Sequence, residues 1–332
     1  MLNVLDGSDA PIHPPVPLLT KTNIRDILRI QTTQRRFTLP EPTQNTGVSP
    51  GARPIITPSV PGVRITSTED ILRPETRLCQ LIWGPSGYGK TNFAGGLDAL
   101  TQKYEGKRTL YIAVEAGEGG GAATIRHLSI PMYVPKDYTD MYKVLGLLRN
   151  DKSIGGIVFD SATEFNQAYI KPAALKYPCR ENVATRGVGV PTRSDFQTMG
   201  EMMSGVLRLL MGMTTHEDPN YRKHLIVTAA DMVREEDEKI VYVGPALPGR
   251  MAKEATQMFN QVGEISIKPQ VVDGKRVNLR VLNFETDGVR AKKDRYKIYP
   301  GDMQLKQLAS DKTGEDVLSI YERYWLPIAN RC

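Results

Sequence analysis

The chain has 332 residues, 40% of them hydrophobic, and a formal net charge of +6 with a pI near 9.1. That is room for one large domain or two modest ones around an ordinary core. No run reaches membrane-spanning length, no leader is visible, and Cys79, Cys179 and Cys332 form neither a disulfide framework nor a zinc pattern, so a reducing cytoplasm is expected and a membrane partner is not.

Residues 1–65 carry Pro11, Pro14, Pro15 and Pro17 and polar stretches such as Thr38–Pro50. Only Asn23–Ile30 has a helical apolar rhythm. Such a segment builds no core of its own. The expected organisation is an extended N-terminal arm over 1–65 and a core over 66–332. The arm is read either as a docking arm, onto a neighbouring subunit, or as a floppy tail.

Strand and helix then alternate. Leu78–Trp83 reads as a strand, Thr91–Tyr104 as a helix, Arg108–Val114 as a second strand and Met132–Val134 as a short third. Tyr138–Leu148 reads as a helix and Gly156–Asp160 as a strand. Phe196–Met213 reads as an amphipathic helix whose Met stripe belongs to the core, and Leu225–Ala229 as a buried strand. This alternation predicts a mainly parallel α/β sheet. After Gln261 the pattern shifts to Gly263–Lys268, Arg276–Phe284 and Gly288–Lys293, read as antiparallel strands added at one edge. Glu315–Trp325 reads as a closing helix.

Between the first strand and first helix stands Gly84-Pro85-Ser86-Gly87-Tyr88-Gly89-Lys90-Thr91, followed by Asn92. This is a full G-x-x-x-x-G-K-[ST] phosphate loop. Its glycines let backbone N–H groups turn inward onto phosphate oxygens. Lys90 reaches the β and γ phosphates, the Thr91 hydroxyl ligates Mg²⁺, and the helix N-terminus adds its positive dipole end. Asp160 ends an apolar strand, Ile157-Val158-Phe159-Asp160, and would hold the metal through water or Thr91. Glu115 directly follows the second strand, read as lying beside the phosphate loop, and is the candidate for polarising the attacking water. Glu118, in the turn of Gly117, Gly119, Gly120 and Gly121, is its rival; Glu115 is favoured for its nearness to the strand end.

A phosphate loop, a glutamate after the next strand and a strand ending Asp160-Ser161 resemble the RecA-type P-loop NTPase core. More narrowly, the chain resembles the RecA-like nucleotide-binding proteins of bacteriophages, a class that includes single-strand-annealing ATPases. Ile226–Ala230, Pro245–Met251 and Ala291–Tyr296 add to the resemblance, which covers roughly 65–296. It implies ATP and Mg²⁺ as cofactors, a homo-oligomeric ring or filament, and single-stranded DNA as a partner. It also implies that Lys293 and Arg295 are fingers inserted into a neighbouring subunit's site; an ordinary basic hairpin tip is the other reading. Two departures stand out. The sensor position carries Ala230, followed by Asp231, where the family often has Gln or His. Of the two DNA loops the family implies, Lys171–Arg193 is basic (Lys171, Lys176, Arg180, Arg186, Arg193), but Met232–Gly249 contains Glu235, Glu236, Asp237 and Glu238. Two functions are therefore carried forward: an ATPase acting on single-stranded DNA in phage recombination or replication, and a nucleotide-stabilised structural or assembly protein with no DNA substrate. A small-molecule kinase fits less well, since no acceptor-binding lid is legible.

Overall fold

The computed structural model describes residues 77–115, 121–176, 191–272, 275–306 and 315–329. The arm expected over 1–65, Glu118, and Arg180 and Arg186 of the basic loop lie outside them.

Six parallel strands form the centre of the sheet. They are β1 (Cys79–Trp83), β2 (Arg108–Ala113), β3 (Met132–Tyr133), β4 (Ile154–Asp160), β5 (His224–Ala229) and, after the hairpin strands β6 (Asp231–Glu236) and β7 (Lys239–Pro245), β8 (Gln261–Val272). Their spatial order is β8-β1-β5-β4-β2-β3. Every residue of β1, β4 and β5 is buried, as near-continuous apolar runs in a parallel sheet covered on both faces should be. Strands β9 (Lys275–Asn283), β10 (Lys293–Asp294) and β11 (Met303–Gln304) complete the sheet through antiparallel pairings.

Three expectations need correction here. The strand expected over Gly263–Lys268 belongs to the parallel block, because β8 runs alongside β1 in register Gln80 to Gln261 through Trp83 to Glu264. It is a mixed-sheet hinge, parallel to β1 on one side and antiparallel to β9 on the other, a distinction that periodicity cannot carry. Gly288–Lys293 is not one continuous strand: Arg290 makes a single bridge to Val243 of β7, and Lys293–Asp294 pairs with β8. The second expected loop, Met232–Gly249, is largely the β6–β7 hairpin. Asp237 and Glu238 turn that hairpin at φ 49° and 60°, a left-handed pair of the type that matches strand twist.

The helix expected over Thr91–Tyr104 is broken at the Gly95-Gly96 pair into α1 (Lys90–Gly95) and α2 (Leu97–Glu105). Next come α3 (Tyr138–Arg149), α4 (Ala162–Phe165), which continues through a π turn into α5 (Lys171–Lys176), and α6 (Arg193–Gly212). Helix α6 begins in a capping box between Thr192 and Asp195, and its Met199, Met203, Val206 and Leu210 are buried, so the Met stripe is core. Phe196, expected at the start of this helix's apolar face, is exposed. Helix α7 (Met251–Met258) follows, and α8 (Glu315–Ile320) continues through a π turn (Tyr321–Trp325) into a last short helix, α9 (Leu326–Ala329).

One core layer joins Ile82 of β1 to Phe93 and Leu97 of the first helices, Ile265 and Leu282 of β8 and β9, and Val317 beside Trp325 at the C-terminal end. The C-terminal helix is also tied to the sheet by charge. Arg280 on β9 meets Asp316 at 2.7 Å, with side chains only 6% and 5% exposed. Removing one member of such a buried pair leaves the other charge desolvated, at about 3–5 kcal/mol. Asp316→Ala should lower the denaturant midpoint by a corresponding amount; a change within the scatter of surface mutants would mean that this pair does not fasten the helix.

Candidate functional site

The carboxyl ends of all six parallel strands face one edge of the sheet, and an open α/β sheet places its ligand crevice outside that edge. The phosphate loop leaves β1 there. Gly84 enters it at φ 152°, with its Cα against the Ile265 carbonyl of β8, so any side chain would collide with backbone. Gly87 and Gly89 follow at φ 79° and 93°, and Gly89 is the N-cap of α1. Pro85, Ser86 and Tyr88 complete the curl, with Ser86 exposed and Asn92 buried beneath it in α1. The Lys90 Nζ folds back over the loop, donating to the carbonyls of Gly84 at 2.7 Å and Pro85 at 2.8 Å. Burial lowers the Lys90 pKa from its ordinary value, opposed by the nearby charges of Asp160, Asp231 and Glu115. A half-buried cation lying over the loop is placed to take a phosphate oxygen.

Thr91 and Asp160 come together as expected. The Thr91 hydroxyl donates to Asp160 Oδ2 at 2.7 Å. Asp160 is only 5% exposed at the end of β4, and the Asp160–Ser161 peptide is cis. A hydroxyl with free lone pairs beside a carboxylate, at the foot of a phosphate cradle, is the oxygen-rich donor set that Mg²⁺ takes together with phosphates. The residues present therefore fit both groups: Lys90 and the loop for the phosphates, Thr91 and Asp160 for the metal.

Glu115 also reaches the cradle, by a route the sequence did not show. Strand β2 is not beside β1; β5 and β4 lie between them. The side chain nonetheless returns, since Glu115 Oε2 accepts from the Gly121 N–H. Gly121 sits so close that a Cβ there would lie 2.8 Å from Glu115 Oε2 and 3.0 Å from Thr91 Oγ1. One glycine backbone thus separates the candidate base from the candidate metal ligand, and a side chain there would push the Glu115 carboxylate aside. Glu115 is exposed, as a group that must meet water should be.

Lys293 and Arg295 lie elsewhere. Strand β10 pairs with the first residues of β8, level with Gln80 near the start of β1, on the edge away from the phosphate loop. Lys293 Nζ caps the end of α7, donating to the carbonyls of Thr256 (3.1 Å), Gln257 (2.9 Å) and Phe259 (2.8 Å). The Arg295 guanidinium donates to Asn260 Oδ1 at 2.9 Å, but its side chain is exposed. They are not a hairpin tip; within this chain they hold the α7 terminus.

Two residues of the site escaped the sequence reading. Tyr111 on β2 and Thr228 on β5 both donate to Asp160. Thr228 is legible as a polar residue inside an apolar strand, Leu225–Ala229; the sensor position that the resemblance points to is Ala230. That residue's N–H is bonded to Thr163 Oγ1 at 3.0 Å. Tyr111 gave no signal beyond strand alternation.

A glycine-curled loop between a buried strand and a helix, with Lys90, Thr91, Asp160 and Glu115 gathered at the carboxyl edge of a parallel sheet, defines a P-loop nucleotide-binding domain. The model of the AAA domain family matches residues 76–296, and the chain belongs to that family of P-loop ATPases. No curated protein matches the chain. No helix among the described residues is long and apolar enough to cross a membrane.

Proposed function

We propose that this AAA-domain protein is a Mg-ATP-dependent, RecA-like ATPase that works as a homo-oligomer on single-stranded DNA, in phage recombination or replication within the host cytoplasm. The observation that carries the ATPase part is the convergence of Lys90, Thr91, Asp160 and Glu115 around one cradle. Bound there, Mg²⁺ neutralises charge on the phosphates. The chain's own residues do the rest: loop N–H groups and Lys90 bind phosphate oxygens, Asp160 orients Thr91, and Glu115 accepts the proton of the attacking water. Its hydrogen bond to Gly121 leaves one carboxylate oxygen for that task.

DNA binding rests on charge. Lys171 and Lys176 of α5 and Arg193 at the start of α6 flank the segment that also contains Arg180 and Arg186. Such a run contacts phosphates without reading bases. The second reading, a nucleotide-stabilised assembly protein with no DNA substrate, has its own support: the tip of the β6–β7 hairpin exposes Glu235, Glu236, Asp237 and Glu238, which repel a phosphate backbone.

ATP hydrolysis measured with and without single-stranded DNA, beside mass in solution, separates the two. Stimulation by DNA that fades with added salt is expected; an oligomer that neither binds nor responds to DNA at low salt supports the assembly reading instead. The finger role is tested in the same assay. Mixed Lys90→Ala and Arg295→Ala subunits should recover part of the hydrolysis that each lacks alone, because some interfaces then join an intact site to an intact Arg295. No recovery in co-assembled mixtures confines Arg295 and Lys293 to capping α7.

A further inference from the structure

Asp160 is held from three sides. Tyr111 and Thr91 both donate to Oδ2, and Thr228 donates to Oδ1. The sheet order explains the enclosure. Strand β4 lies between β2 and β5, and the pairings Ala113 to Asp160 and Phe159 to Val227 bring Tyr111 and Thr228 up on its two flanks. Thr91 approaches from α1. Tyr111 and Thr228 are both 0% exposed, so neither hydroxyl has water as an alternative partner.

An ionised carboxylate offers about four acceptor positions. Among the described residues three are taken, two on Oδ2 and one on Oδ1. What remains is one acceptor position on Oδ1. A carboxylate bound in this way cannot rotate without breaking charge-assisted hydrogen bonds in a dry environment, which makes its orientation a fixed property of the fold.

From this clamp we infer that Tyr111 and Thr228 are positioning residues for the metal step: they fix Asp160, and through it the Thr91 hydroxyl, in the single arrangement that would receive Mg²⁺. The inference rests on the nucleotide-site reading above. It assigns Tyr111 and Thr228 a role through Asp160, with no contact to nucleotide. The role acts through the metal, so the test reads the metal rather than stability.

The test uses the full chain and measures ATP affinity twice, with Mg²⁺ and with EDTA. The gain in affinity on adding Mg²⁺ is the quantity read. Tyr111→Phe keeps the ring and removes only the hydroxyl. It should reduce the Mg²⁺-dependent gain about 10- to 100-fold, the usual loss when a group supporting a metal ligand is removed, and leave affinity in EDTA unchanged. Thr228→Val should act in the same direction, and Thr228→Ser should restore the gain. In an Asp160→Asn background, Tyr111→Phe should add little. The inference is overturned if folded Tyr111→Phe and Thr228→Val keep the parent's gain, or if affinity falls equally with and without metal. A parent chain that binds no ATP under either condition would instead remove the nucleotide-site reading, and the clamp with it.

Discussion

Glu115→Gln should bind Mg-ATP like the parent and hydrolyse it roughly a hundredfold more slowly or worse, the range expected when a general base is lost. The substitution is near-isosteric, and the glutamine carbonyl can still accept from Gly121, so the cradle between Glu115, Gly121 and Thr91 should persist. What disappears is the group that takes a proton from water. Single-turnover hydrolysis beside an equilibrium binding curve separates the two effects. If Glu118→Gln shows the loss and Glu115→Gln does not, the base lies three residues along. If neither does, water is activated elsewhere; Asp231, whose charge also acts on Lys90, is then the next carboxylate to change.

Lys90→Ala acts one step earlier. The ammonium is the one side-chain cation of the loop, and its removal takes away a charge-assisted bond to phosphate of roughly 1.5–3 kcal/mol. ATP affinity should fall by roughly ten- to a hundredfold or more. The fold should survive, because among the described residues Lys90 bonds to loop carbonyls and spans no packed layer. An unchanged melting temperature with lost binding is the expected pair of results. Equal affinity in the folded variant would remove the site assignment.

The two predictions rest on parts of the molecule that differed in legibility. The phosphate loop was readable outright because its chemistry is local: eight consecutive residues carry the glycines, the lysine and the hydroxyl. Asp160 was readable because a buried strand ending in a carboxylate is also a local pattern. The parallel core followed from alternation. The strand order did not, because nothing in Leu225–Ala229 announces that it inserts between the strands of the phosphate loop and of Asp160. That insertion places Thr228 on Asp160, and Tyr111 arrives from the other side. Both are long-range consequences of topology. The direction of β8 was misread for a similar reason, since a strand's own residues do not say which neighbour it will run alongside. Lys293 differs again: the resemblance implies a role in a neighbour's site, and the three carbonyls that it meets within this chain, at the end of α7, were not legible in the sequence.

The central claim is that the loop from Gly84 to Thr91, with Asp160, forms a working Mg-ATP site. Equilibrium titration of the full chain with ATP in the presence of Mg²⁺ tests it most directly. Saturable binding of one nucleotide per chain, weakened when Mg²⁺ is withdrawn, is the predicted result; no saturable binding at millimolar Mg-ATP by folded protein would contradict it.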